Sequence, residues 1–221
     1  MQIVFFPARY DWPALCRRPI QDLSALEEVV RHILKDVRLH GDEALCRLTR
    51  EYDQVSILSL AVDASALSAC ETAVPQALRD AICRAKENLM NFHLAQKERE
   101  IRIETCPGVV CIRRSVPISK VGFYVPGGSA PLFSSLLMMG VPAIAAGCRE
   151  LVVCTPPQAD GTVSAPVLYV CKILGISRIF RVGGAQAVAA MAYGTESVPR
   201  VDKIFGPGNR YVTMAKQLVG L

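Results

Sequence analysis

The sequence predicts an α/β protein, with a helical first lobe followed by a parallel sheet covered by helices. Two observations carry this expectation. The first is a rhythm in the second half, where apolar runs at residues 121–125, 151–154, 178–182 and 201–205 each stop at a turn rich in glycine or proline. The exits read Pro126-Gly127-Gly128, Thr155-Pro156-Pro157, Gly183-Gly184 and Gly206-Pro207-Gly208, and each leads toward an apolar helical stretch such as residues 131–146 or 211–219. Strands and helices in strict alternation require parallel pairing with crossover helices. Open sheets of that kind bind ligands at the carboxyl ends of their strands, so the turns mark a binding crevice. The second observation is a change of texture: the first hundred residues hold most of the charge and show helical periodicity instead.

Taken in order, Ser24 and Glu27 form an S-x-x-E capping signature ahead of Val29, Val30, Ile33 and Val37 on one face, with Gly41 as the stop. That predicts a helix of about four turns. Asp42 is positioned to cap a second helix carrying Leu45, Leu48 and Tyr52. A third starts near Pro75 and spaces Leu78, Ile82, Ala85, Leu89 and Phe92 by three and four. Between Ile101 and Ser115 the pattern turns extended around Pro107-Gly108, a turn joining two strands. The lobe boundary therefore falls within residues 105–118, and the chain divides into 1–107 and 108–221.

Composition excludes several functions. A chain of 221 residues, 51% hydrophobic, buries a substantial core. Its net charge of +5 is interleaved with acids along the helices, and aromatics make up only 6%, so neither a basic arm nor a stacking platform for nucleic acid is present. The longest apolar stretch, residues 130–146, is broken by Ser134, Ser135, Gly140 and Pro142 and reads as a buried helix, so no membrane partner is expected. The N-terminus lacks the basic and apolar regions of a secretory signal, which predicts a reducing, cytoplasmic setting. Nine cysteines, with no C-x-x-C pair, read as small buried hydrophobes.

Chemistry is concentrated at the strand exits. Paired glycines at 183 and 184 let a ligand approach the backbone, and Gln186 stands in the first helical turn as an exposed side chain able to donate and accept. The same glycines also fit a tight turn with no further role. Asn209 is a natural N-cap for the helix that follows, and a cap at this edge can also offer its amide to a ribose or phosphate. Tyr124, beside the first exit, is either core or the wall of a nucleotide pocket. Other mechanisms lack their parts. His32, His40 and His93 are the only histidines and make no metal-ligand pair. Ser129, Ser134 and Ser135 have no downstream histidine for a triad. G-x-G-x-x-G, Walker A and G-x-S-x-G motifs are absent, and Cys154, at a strand end, reads as a buried hydrophobe before a nucleophile.

The runs VGFYVPGGSAPLFSSLLMMGVPAIAAGC and VGGAQAVAAMAYGTESVPRVDKIFGPGNRYVTMAK, with LKDVRLHGDEAL in the helical lead-in, closely resemble the histidinol dehydrogenase family. The resemblance implies an incomplete Rossmann-like NAD-binding domain over 108–221, lacking the standard glycine fingerprint. It implies NAD contacts at Tyr124, Gln186 and Asn209, and an enzyme that oxidises L-histidinol through the aldehyde to L-histidine in histidine biosynthesis, using NAD and zinc as a homodimer. It also marks a departure. The family's zinc ligands (a Gln, two His and an Asp) and its proton-managing Glu-His pair belong to a second half, so neither metal ligands nor catalytic residues are assigned in this sequence. The chain alone is therefore expected to be inactive. A competing reading is a non-catalytic nucleotide-binding or interaction module built from the same half.

Overall fold

The structure, a computed structural model, describes residues 4–17, 23–127 and 132–220. Gly128 of the first exit, Ser129 and Pro131 lie outside the described residues. After a short N-terminal turn of helix, α1 (Trp12–Leu15), three helices follow: α2 (Ser24–Asp53), α3 (Ala64–Ala73) and α4 (Gln76–Ala95). A hairpin of β1 (Ile101–Cys106) and β2 (Val109–Arg113) turns at Pro107-Gly108 as the sequence predicts. Then come β3 (Lys120–Tyr124), α5 (Phe133–Ala146), β4 (Glu150–Thr155), α6 (Ala165–Ile173), β5 (Arg178–Arg181), α7 (Gly184–Tyr193), β6 (Lys203–Phe205) and α8 (Arg210–Val219).

The four predicted sheet strands are all present and all parallel, in the order β5-β4-β3-β6. The chain winds outward from β3 to β4 to β5, and α7 then carries it back so that β6 pairs on the opposite side of β3. The winding reverses between β3 and β6, where an open α/β sheet separates its strand ends and leaves room for a ligand.

Alternation along the strands divides the core into two layers. Val121, Phe123, Val125, Val153 and Ile179 face one side, packed with residues of α3 to α6 such as Cys70, Ile82, Leu136 and Val167. Tyr124, Val152, Cys154, Phe180 and Val182 face the other, packed with α2, α7 and α8 through Val30, Ile33, Leu45, Ala187, Val188 and Val212. The first-lobe helices thus share both cores with the sheet.

Two local expectations, the Asp42 cap and the burial of the cysteines, are corrected. Gly41 breaks the helix as the sequence predicts: it is non-helical at φ 48° and ψ −128°, and α2 resumes beyond it to Asp53. The cap for the resumed helix comes from a distance, since Asp42 N–H donates to Glu196 Oε2 at 2.8 Å. The Asp42 carboxylate is turned to the loop after α7, accepting from Thr195 Oγ1 at 2.6 Å and from Ser197 Oγ. The distant Glu196 does what the local sequence assigned to Asp42. Helix α3 has no expectation behind it, because Leu67 is its one large apolar side chain and only Cys70 is buried. Only Cys70, Cys154 and Cys171 of the nine cysteines are buried, with Cys16, Cys106 and Cys111 exposed; all nine are unpaired thiols. Among the described residues no helix is long and apolar enough to cross a membrane.

Candidate functional site

A cavity of about 660 Å³ opens at the carboxyl ends of the strands, within the size range of small-molecule and cofactor sites. Tyr124, Gln186 and Asn209 all line it. The sheet brings together three residues up to 85 positions apart (209 minus 124), because each stands at or just beyond the end of a parallel strand.

Tyr124 ends β3 with its ring in the core, only 4% exposed, while its hydroxyl reaches the mouth of α7 and accepts the Gly184 N–H at 3.1 Å. The phenol thereby occupies a backbone donor at a helix N-terminus, and its own O–H remains to be donated. Burial pushes the phenol above its ordinary pKa, the Gly184 hydrogen bond opposing, so the group stays a neutral donor. Core and pocket readings are both satisfied by one side chain.

Gln186 requires a correction. It is buried, at 2% exposure, and not an exposed first-turn side chain. Helix α7 lies between the sheet and α2, with Ala185 to Met191 all buried, so even its first turn is enclosed. What Gln186 exposes opens on the cavity, and its amide makes no hydrogen bond to the described chain. A buried amide ordinarily finds partners within the protein. Gly184, at φ 62°, sits directly beneath it: a Cβ there would meet Gln186 Oε1 at 2.5 Å.

Asn209 is the N-cap of α8, its Oδ1 accepting from the Tyr211 and Val212 N–H groups at 3.0 and 3.1 Å. Because the oxygen is committed to two backbone donors, the amide orientation is fixed and Nδ2 keeps both its donors for the cavity. The preceding turn is held at its closest point by Gly206, at φ 137°, where a Cβ would stand 2.1 Å from the Tyr124 carbonyl oxygen. Lys216 Nζ donates to the Gly206 carbonyl at 2.7 Å and ties the turn to α8.

The remaining walls are Pro126 and Gly127 after β3, Pro156 and Pro157 after β4, Tyr211, and a surface from α2 made of Val29, Ile33, Tyr52 and Asp53. Sequence reasoning missed this last surface. One signal was available: an acid in the last turn of a helix runs against the helix dipole. Cys154 stays a hydrophobe, fully buried, with burial pushing its thiol far above the ordinary range.

The geometry defines a class, an open parallel α/β unit with a ligand crevice at its switch point. Comparison with known proteins is more specific. The family model described as histidinol dehydrogenase matches residues 16–221, so this chain belongs to the histidinol dehydrogenase family. The chain is 46% identical over 221 residues to histidinol dehydrogenase of Bacteroides fragilis (strain YCH46), covering 100% of itself and 52% of that protein. It is 51% identical over 203 residues to the Xanthomonas axonopodis pv. citri (strain 306) protein of that name, covering 91% of itself and 47% of the relative. The crystal structure of histidinol dehydrogenase from Elizabethkingia anophelis superposes with a TM-score of 0.92 at 41% identity, over 97% of this chain and 49% of that one. The chain spans about half the length of the curated relatives it matches.

Proposed function

We propose that this chain is the cofactor-binding half of a histidinol dehydrogenase that oxidises L-histidinol through the aldehyde to L-histidine with NAD. The observation that supports it most is convergence: three polar side chains from three strand exits meet in one cavity at the switch point. The residues fit a dinucleotide. Gly184 and Gly206 leave no room for a Cβ at the turns, the Tyr124 hydroxyl and Asn209 Nδ2 offer donors, and the Gln186 amide offers both donor and acceptor. Pro126, Pro156, Pro157 and Ile33 supply an apolar wall that excludes water. NAD, when bound, would supply the two-electron acceptor.

Zinc stands differently. Among the described residues no group of three or more His, Cys, Asp or Glu could hold a metal, so no step is routed through one in this chain. In this proposal the metal ligands and the proton-transfer groups come from the other half of a longer enzyme, and this chain by itself does not turn over histidinol. Residues 1–107 serve as scaffold and supply the wall with Tyr52 and Asp53, while 108–221 supply the strand exits. A homodimer and a cytoplasmic setting belong to the same proposal. Support comes from the exposed apolar side chains Ile101, Ile103, Val109 and Ile112 on the hairpin and from the unpaired thiols.

The test is a calorimetric titration with NAD. Weak binding is expected, and Gln186→Ala should lower the affinity by about tenfold, the worth of a buried hydrogen bond. Absence of any NAD binding to the wild type would leave the competing scaffold reading in place. Histidinol-dependent NADH formation by this chain alone would show that the active site has been misplaced.

A further inference from the structure

Dinucleotide-binding sheets place a carboxylate at the end of the second strand, where it takes the hydroxyls of the adenosine ribose. In this sheet the second strand is β4, and it exits through Thr155, Pro156 and Pro157, none of which carries a carboxylate. The next acid along, Asp160, is occupied within its own loop, accepting from Thr162 N–H and Oγ1 at 2.9 and 2.7 Å. The cavity nevertheless has a carboxylate, supplied by the last residue of α2. Asp53 is the only charged side chain among the described residues that line it. Gln54, at φ 58°, turns the chain away directly afterwards, leaving Asp53 at the helix end.

Two features set this acid apart from a solvated helix terminus. Its Oδ2 is buried and has no hydrogen-bond partner, whereas buried carboxylate oxygens ordinarily find donors. Its position at a helix C-terminus is electrostatically unfavourable, with no cation in the described lining to offset it. Rotation about the last side-chain bond of Asp is soft and roughly two-fold, so either oxygen can turn to the cavity. A carboxylate that lacks donors at a cavity wall is suited to ligand hydroxyls and hostile to a phosphate.

We infer that Asp53 is the ribose-recognition and cofactor-selecting residue of this cavity: its carboxylate accepts hydrogen bonds from the adenosine ribose hydroxyls of NAD and repels the 2′-phosphate of NADP. The assignment rests on the NAD reading of the cavity given above. Helix α2 thus replaces the missing acid of β4.

The experiment measures dissociation constants for NAD and for NADP by calorimetry on the wild type, Asp53→Asn and Asp53→Glu, with a melting curve for each. The wild type should prefer NAD by tenfold or more. Asp53→Asn should lose about tenfold in NAD affinity while holding or gaining NADP affinity, so that the ratio moves toward one. Asp53→Glu should restore part of the preference. A structural role would lower both affinities together and leave the ratio alone, so an unchanged ratio in Asp53→Asn overturns the assignment. So does a wild type that binds the two dinucleotides equally. A wild type that binds neither removes the NAD reading and the assignment with it, whereas NAD binding with an unaltered ratio in Asp53→Asn removes the assignment alone.

Discussion

The cavity has two walls of different origin. One is built from strand exits, where Tyr124, Gln186 and Asn209 are each fixed by a backbone feature: an N–H bonded to a phenol, a buried first turn, a helix cap. The other is the end of α2, where Tyr52 is half exposed and Asp53 carries an oxygen without a partner. The first wall is held by covalent geometry and hydrogen bonds, the second by the packing of one helix against α7 and α8. Function in the first is combined with stability; in the second it works against stability. Substitutions in the two walls should therefore differ in sign as well as size.

The largest effect is expected where the strand-exit wall is tightest. Gly206→Ala places a Cβ 2.1 Å from the Tyr124 carbonyl oxygen at φ 137°, forcing β6 away from β3. The loss should be about 3 kcal/mol or more, or about 6–12 °C in melting temperature, read by thermal and urea unfolding. A Gly206→Ala protein that melts like wild type would break the comparison, because the rigid wall would then not be rigid. Gln186→Ala comes next. Its burial means that truncation leaves a void and removes a side chain enclosed by α7 and its neighbours, so a loss of about 1–3 kcal/mol in a urea titration is expected. An unchanged midpoint would restore the exposed side chain that the sequence alone suggests.

That contrast shows what was legible in the sequence and why the rest was not. The parallel sheet was legible because its strands are short runs ended by glycine or proline, and the central pair β3 and β4, buried over most of their length, leaves a strong local trace. The three strand-exit residues followed, since a strand end fixes where a side chain goes. Asp53 left only a weak trace, an acid set against the helix dipole, because its place at the cavity depends on how α2 lies across α7, a contact between residues far apart in sequence. Gln186 was placed in the right turn but in the wrong environment, because first-turn residues are exposed only when nothing covers the helix, and α2 covers this one. Asp42 shows the same limit: the break at Gly41 was legible, but the local cap signal of Asp42 is overridden by Glu196 from another part of the chain.

Asn209→Ala is a smaller test and a mixed one. Loss of an N-cap that accepts from two backbone N–H groups should cost about 0.5–2 kcal/mol, whatever the residue does for a ligand. Asn209→Asp separates the two roles: it keeps the capping oxygen, improves the charge at the helix N-terminus, and removes the Nδ2 donors. Stability equal to or above wild type with weaker NAD binding is the expected pattern in melting and titration experiments. Unchanged binding would confine Asn209 to the cap.

The smallest effect should have the opposite sign. Burial pushes the Asp53 carboxyl above its ordinary value of 3.8, so the folded state holds the proton more tightly than the unfolded chain. The sign follows from linkage: in the window between 3.8 and the raised folded value the native state binds more protons, and stability falls as pH rises through it. Above both values both states are ionised and the whole penalty is present. Asp53→Asn removes that charge and its unfavourable place at the end of α2, so it should melt slightly above wild type at pH 7. As the pH falls below the folded carboxyl's pKa, wild-type Asp53 becomes neutral itself, and the advantage of the variant should vanish. Paired melting curves at pH 7 and pH 4 read this directly. A variant less stable than wild type at pH 7 would make Asp53 a structural member of its wall and erase the distinction between the two sides of the cavity. A variant more stable yet poorer in binding NAD would establish that the α2 wall keeps its charge for a ligand and not for the fold.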